Sequence, residues 1–425
     1  MNVLFLTIVD IDSLEESNIY TDLLRKFWAE GHTVYMISPV ERKKNISTHY
    51  IKSDERIGIL KLRIGNIQKT NIIEKGISTI TLEGKFISAV KKYFHDVKFD
   101  LVMYSTPPIT FGNVIKYIKR RDCAKTYLLL KDIFPQNAVD MGMLSKTGLK
   151  GILYRFFRNK EKKLYQVSDY IGCMSQANVD YIISHNAEVN SEIVEICPNS
   201  IEVMDKSVSE KERIEIRQKY NIPLDKKVFV YGGNLGKPQG IDFLIECLKR
   251  QEMNEDVFFL IVGDGTEYPK IEEYINKSQV QNVRLMKRLP KDDYDLMVGA
   301  CDVGMIFLDH RFTIPNFPSR MLGYMQAKLP VLAVTDPNSD IGKVIVDGGF
   351  GWWCESDDAD RVVKCMQSIH SDMLSEAGNN AYEYLVKYYD VRYAYNAILK
   401  WFKREKKDDR NWGLRRNNSD KIRTK

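Results

Sequence analysis

The sequence predicts an α/β protein made of two doubly wound parallel sheets, and three observations carry that prediction. Short apolar runs recur between helix-like stretches, at residues 3–9, 33–38, 101–105, 126–130, 170–174, 228–231, 258–262, 283–285, 303–307 and 331–334. Their apolarity is continuous rather than alternating, the pattern of strands covered on both faces. The chain has 425 residues, too many for one core and a good length for two. Finally, the runs divide around the Pro198-Asn199-Ser200 turn and the charged stretch from Asp205 to Arg217. The boundary therefore falls near 199–205, giving units at 1–200 and 201–400 and a basic tail at 401–425. Two such units in succession leave a cleft between the carboxyl ends of their strands, where ligands of these sheets bind.

Composition narrows the function classes. No apolar run approaches the roughly 18 residues of a membrane span, and the start, Met1 to Val9, lacks the basic flank of a signal peptide and reads as a first buried strand. Seven cysteines are scattered with no Cys-x-x-Cys pair, which argues against a disulfide framework and a zinc site and for the cytoplasm; no metal is expected. The net charge is +6, and the tail alone, with ten Lys/Arg against four Asp/Glu, accounts for all of it. Such a tail either touches anionic lipid or nucleic acid or is a solvated end. No basic platform interleaved with aromatics occurs in the body, so nucleic acid is not an expected partner.

The richest segment runs from Thr313 to Leu332. Pro318 breaks a loop, Ser319 is placed to cap a helix and leave its first N–H groups as an anion site, and Lys328-Leu329-Pro330 ends the helix before a buried strand. An ordinary capped helix would read the same by itself. Two strands run into glycine-rich turns: Tyr231-Gly232-Gly233-Asn234-Leu235-Gly236-Lys237, where Lys237 can set a charge beside a phosphate, and Val262-Gly263-Asp264-Gly265, which lacks the third glycine of a dinucleotide fingerprint. Arg284 to Tyr294 supplies a strand, a basic turn around Lys287, Arg288 and Leu289 suited to a base edge, and a helix start.

In this order the segments resemble the nucleotide-binding half of the retaining GT-B glycosyltransferases of family four, the glycosyl transferases group 1. Phe317-Pro318-Ser319-Arg320 with Tyr324-Met325 and Pro330-Val331 looks like the last of that family's signatures. In the first half, Glu30-Gly31-His32-Thr33-Val34, Leu130-Lys131-Asp132-Ile133-Phe134-Pro135, Cys173-Met174-Ser175-Gln176 and Ile196-Cys197-Pro198-Asn199-Ser200 are similar to its motifs up to the domain junction. The resemblance covers about residues 1–400. It departs from the pattern at the two usual glutamates, matched here by Pro315 and Gly323, at the usual Arg and Lys, matched by Asn234 and Gln239, and at the usual His-Asp, which is Lys131-Asp132. A capsule and O-antigen branch, including N-acetylfucosamine-type transferases, is similar in having Pro-Ser-Arg/Lys followed by Tyr.

The resemblance implies a GT-B fold and metal-independent transfer, with retention, of an N-acetylated hexosamine or deoxyhexosamine from a nucleotide diphosphate donor, expected to be UDP-linked. No cofactor beyond that donor is implied. The implied acceptor is a polyprenyl-diphosphate-linked saccharide on the inner face of a bacterial plasma membrane. Asp132 and Lys131 are the catalytic candidates. Gly233, Asn234, Lys237, Gly263, Arg288, His310, Arg311, Asn316, Pro318, Ser319, Arg320 and Tyr324 are the donor-binding candidates. A basic, apolar stretch from Leu144 to Gln166 suits an anionic membrane surface, or equally a helix packed on the sheet. The alternatives are a non-catalytic GT-B nucleotide-sugar-binding subunit and a nucleotide-sugar epimerase, the latter disfavoured by the few acidic and histidine residues expected in the cleft.

Overall fold

The computed structural model describes residues 1–67 and 72–402; the rest of the basic tail lies outside the described residues. The first sheet holds β1 (Asn2–Leu6), β2 (Thr33–Glu41), β3 (His49–Asp54), β4 (Ile57–Ile64), β5 (Leu101–Ser105), β6 (Lys125–Leu130), β7 (Tyr170–Cys173) and β8 (Val194–Ile196) in the order β3-β4-β2-β1-β5-β6-β7-β8. The second holds β9 (Lys227–Asn234), β10 (Val257–Asp264), β11 (Val283–Met286), β12 (Val303–Phe307), β13 (Val331–Thr335) and β14 (Gly351–Glu355) in the order β11-β10-β9-β12-β13-β14. β5, β12 and β13 are buried at every position, so their unbroken apolar runs face helices on both sides.

All pairings are parallel except β3 with β4. β3, β4, β8 and β14 fall outside the apolar runs read from the sequence. β3 is almost wholly exposed and β4 carries Lys61 and Arg63 among its apolar residues. Lys61 is nevertheless buried, its ammonium bonded to Asp10, Asp12 and the Ile11 carbonyl. Such burial is tolerable because the charge is paired.

Strand order reverses between β1 and β5 in the first sheet and between β9 and β12 in the second. Those reversals are the switch points at which ligands of open α/β sheets bind. The loops leaving them are residues 7–20 and 106–111 in the first unit, and 235–240 and 308–319 in the second.

Two segments bind the units together. Leu308, Phe312 and Ile314, which follow β12, join the core of the first unit beside Ile109, Ile133 and Met141. Asn178 Nδ2 donates to the Pro315 carbonyl at 2.8 Å, Asn199 Nδ2 to the Phe317 carbonyl at 3.1 Å, and Thr313 Oγ1 to Asp140. The second segment is the helical stretch 391–402. Its Val391, Ala394, Tyr395, Ile398 and Leu399 follow a helical spacing and pack on Phe5, Phe27 and Tyr127 of the first unit. Trp401 stacks on Tyr170 at 4.3 Å and donates to Glu195. The division at 200 thus needs a correction: the residues after Asp390 return to the first unit, because the apolar face of that helix is covered by β1, β2 and β6.

Candidate functional site

A cavity of about 300 Å³ lies between the units. Ser17, Asn18 and Ile19, from the loop after β1, form one wall; Gly233, Ser319, Arg320 and Gly323 form the other. The β9 turn brings Gly233 there at φ +124°, a conformation open to glycine, with its Cβ position 3.7 Å from the Arg320 guanidinium carbon. Gly240, at φ +60°, lets the same turn pack on the Asp309 backbone, where an added Cβ would lie 3.3 Å from the Asp309 Cα. The two loops of the β9/β12 switch point are thereby held against each other, with the Asp309 amide donating to the Pro238 carbonyl.

Arg320 opens the helix Arg320–Gln326. Its guanidinium stacks 4.6 Å from the Tyr231 ring centroid and its Nη2 donates to Gln239 Oε1 at 2.5 Å, while Nη1 is sealed from solvent without a partner. A buried donor left unpaired costs stability, and an anion in the cavity would repay it. Ser319 does not cap this helix as the sequence suggested. Its backbone is already helical, at φ −67° and ψ −14°, and its hydroxyl makes no capping bond. The Met321 and Leu322 amides bond the Pro318 and Ser319 carbonyls, so among the described residues the uncommitted amides of this turn are those of Ser319 and Arg320.

Tyr324 lines the same cavity. It is 1 % exposed, its hydroxyl accepting from the Gly232 amide at 3.1 Å and donating to the Met305 carbonyl, with its ring over Gly304. Its hydroxyl ties the β9 turn to β12. Gly263 is likewise buried, paired in register with Gly233; its Cβ would meet the Gly233 carbonyl oxygen. Asn234, at the end of β9, and Lys237, in the turn after it, are exposed. Arg288 is exposed in the turn after β11. Arg311 chelates Asp309, with Nε to Oδ1 at 2.8 Å and Nη2 to Oδ2 at 2.7 Å; burial alone would raise the Asp309 carboxyl, but these bonds hold it below the ordinary carboxylate range. His310 is exposed beside them. Asn316 lies in the segment bridging the units, its carbonyl accepting from Ser339, and Pro318 is half-buried.

Asp132 sits at the carboxyl end of β6, half-buried. Asn137 Nδ2 reaches both carboxylate oxygens at 2.8 Å, and Thr106 Oγ1 accepts from the Lys131 and Asp132 amides at 3.0 and 3.1 Å. Burial pushes the carboxyl up to about 6, against the bonds it accepts from the Ile133 amide and Asn137. Tyr20, from the loop that walls the cavity, feels the Asp132 charge, and burial first and that charge second raise its phenol. Lys131 points elsewhere: its ammonium donates to the Cys197 carbonyl at 3.3 Å, and burial lowers its pKa. It joins the ends of β6 and β8. Sequence reading missed Thr106, Asn137 and the loop 17–20, and it named Gln239 only as the position of a usual lysine. Asn137 had the best signal, lying five residues after Asp132 on the short helix Gln136–Asp140.

Residues 212–409 match the family described as Glycosyl transferases group 1. The match falls on the second unit, which is thus similar to the group 1 glycosyltransferases. "Probable glycosyltransferase WbjE" of Pseudomonas aeruginosa is 26% identical to the chain over 316 residues, 73% of this chain and 75% of WbjE. WcaI of Escherichia coli (strain K12), a glycosyl transferase named for colanic acid biosynthesis, is 24% identical over 208 residues, 49% of each chain. Among solved structures, Alr3699/HepE of Anabaena, in complex with UDP-glucose, superposes with a TM-score of 0.67 at 15% identity, covering 95% of this chain and 99% of HepE. The two parallel-sheet units are those of the GT-B fold. In this chain the positions matched to the family's glutamates are Pro315, whose carbonyl is bonded by Asn178, and Gly323, whose Cβ position meets nothing within 4 Å.

Proposed function

We propose that this chain is a group 1 glycosyltransferase that moves an N-acetylated hexosamine or deoxyhexosamine, with retention and without a metal or other cofactor, from a UDP-linked donor to a polyprenyl-diphosphate-linked saccharide in capsule or O-antigen assembly. The observation that carries the reading is Arg320 Nη1, a buried, unpartnered cationic donor at the cavity between the two switch points. The leaving diphosphate supplies what it lacks. Arg320, the Ser319 and Arg320 amides and the exposed Lys237 together absorb the charge that develops on the departing oxygen. The UDP-glucose held by HepE, on the same fold, supports a uridine donor. Asp132, held by Asn137, orients a hydroxyl of sugar or acceptor from the opposite unit.

One observation favours a second reading, a nucleotide-sugar-binding subunit without turnover: neither Pro315 nor Gly323 offers a carboxylate to the cavity. A thermal-shift panel of UDP-, GDP- and dTDP-sugars, repeated with Arg320→Ala, tests the donor site. A shift with UDP-sugars that the substitution removes supports it, and the absence of any shift refutes it. Transfer of labelled sugar to a polyprenyl-diphosphate acceptor, with the anomer of the product read by NMR, then separates the transferase from the subunit and retention from inversion.

A further inference from the structure

The helix Gly148–Val167 carries Leu149, Ile152, Leu153, Phe156, Lys160 and Lys163 on one face, at spacings of three and four residues. The four apolar members are exposed, Leu149 at 87% and Ile152 at 59%, whereas Leu164 and Phe157 of the same helix turn into the core. Where the face becomes cationic, the helix Gly112–Asp122 runs beside it; a Cβ at Gly112 would lie 4.0 Å from Lys163. A cavity of about 490 Å³ opens there, lined by Lys116, Lys119, Arg120, Lys160 and Lys163 with the Glu83 carboxylate. Lys160 is paired with Glu83 at 3.2 Å and Lys119 with Asp169 at 2.8 Å. Lys116, Arg120 and Lys163 have no ion-pair partner among the described residues.

Two anomalies thus share one surface: apolar side chains left in water, and adjoining them a cavity whose cations outnumber its anions. Each has the same remedy, since a bilayer offers phosphates at the depth of its headgroups and hydrocarbon just below. We infer that this cavity receives the phosphate of an anionic lipid while Leu149, Ile152, Leu153 and Phe156 enter the acyl boundary, docking the chain on an anionic membrane. Charge complementarity selects anionic over zwitterionic lipid. Phe156 is in ring contact with Phe157 at 5.4 Å, and Phe157 with Phe134 at 5.0 Å, two residues from Asp132. An apolar path therefore joins the docking face to the candidate site, which deepens, and for the acceptor's route rests on, the reading of a lipid-linked acceptor.

The full chain is sedimented with phosphatidylcholine vesicles and with vesicles of equal parts phosphatidylcholine and phosphatidylglycerol. Binding is expected to the mixed vesicles only, and the variant Lys116→Gln/Arg120→Gln/Lys163→Gln is expected to bind them on the order of 100-fold more weakly, from about fivefold per cation at a membrane surface. Its response to UDP-sugars, measured without vesicles, stays as in the wild type. Equal binding by wild type and variant, equal binding to both vesicles, or displacement by inorganic phosphate would each overturn the inference, the last assigning the cavity to a free anion. The separate variant Leu153→Trp keeps the question decidable if the triple variant fails to fold: its emission shifts to the blue on mixed vesicles if the face inserts, and an unshifted emission overturns insertion. Loss of every donor response with vesicle binding intact would instead count against the transferase reading alone.

Discussion

Replacing Asp132 by Asn removes a charge that the fold holds at a cost. Burial raises this carboxyl from the ordinary 3.8 to about 6, so the folded chain keeps its proton more tightly than the unfolded chain does. The protonated group contributes stability at low pH, and that contribution is lost as pH rises through the folded value. At 1.36 kcal/mol per pH unit, the full rise corresponds to about 3 kcal/mol at pH 8 and about 1.5 kcal/mol at pH 5. These are ceilings, because solvent reaches the half-buried group. Asn also replaces the charge-assisted bond from Asn137 with a neutral one, which gives back about 1 kcal/mol. Asp132→Asn is therefore expected to stabilise the protein by about 1–2 kcal/mol at pH 8 and by almost nothing at pH 5, while abolishing transfer. Urea unfolding of both proteins at the two pH values, followed by circular dichroism, reads the difference. A variant less stable than the wild type at pH 8, or a gain that grows towards pH 5, would refute the assignment of Asp132 as a carboxylate held ionised against its surroundings.

In the wild type, transfer should fall as pH drops through about 6 if the Asp132 carboxylate acts in its charged form; a flat profile down to pH 5 would assign the acidic limb elsewhere. Arg320→Ala should weaken UDP binding by roughly 10- to 100-fold, the range of a charge-assisted bond to phosphate, as measured by calorimetry. Gly304→Ala places a Cβ 2.4 Å from the Tyr324 ring, which its hydroxyl anchors at Gly232. A loss of about 1–3 kcal/mol is expected from that overpacking, read as a lower denaturation midpoint. Ile398→Ala, at a fully buried position on the returning helix, should cost about 2–5 kcal/mol and leave UDP affinity unchanged; an unaltered midpoint would show that 391–402 does not belong to the first unit's core.

Strand periodicity and glycine placement are local properties, and the sequence by itself determined what depends on them. The runs at 101–105 and 303–307 are strands with those bounds, and the glycine-rich turn after β9 and the Lys328-Leu329-Pro330 stop fall where their residues demand. β3 and β4 escaped because an exposed edge strand and a strand with a buried Lys61 carry no continuous apolar signal; the ion pairs that excuse Lys61 come from Asp10 and Asp12, some fifty residues away. The same distance in sequence hid the site's supports. Ser319 looks like a cap until the turn is seen to be helical already. The bonds of the Tyr324 hydroxyl to Gly232 and Met305 could not be read from its place in the chain. The partnership of Arg320 with Gln239, the wall formed by Ser17 to Ile19, and the return of 391–402 to the first unit are contacts between segments far apart in the chain. Local propensity carries no term for such contacts, and only close packing of the two sheets and their loops decided them.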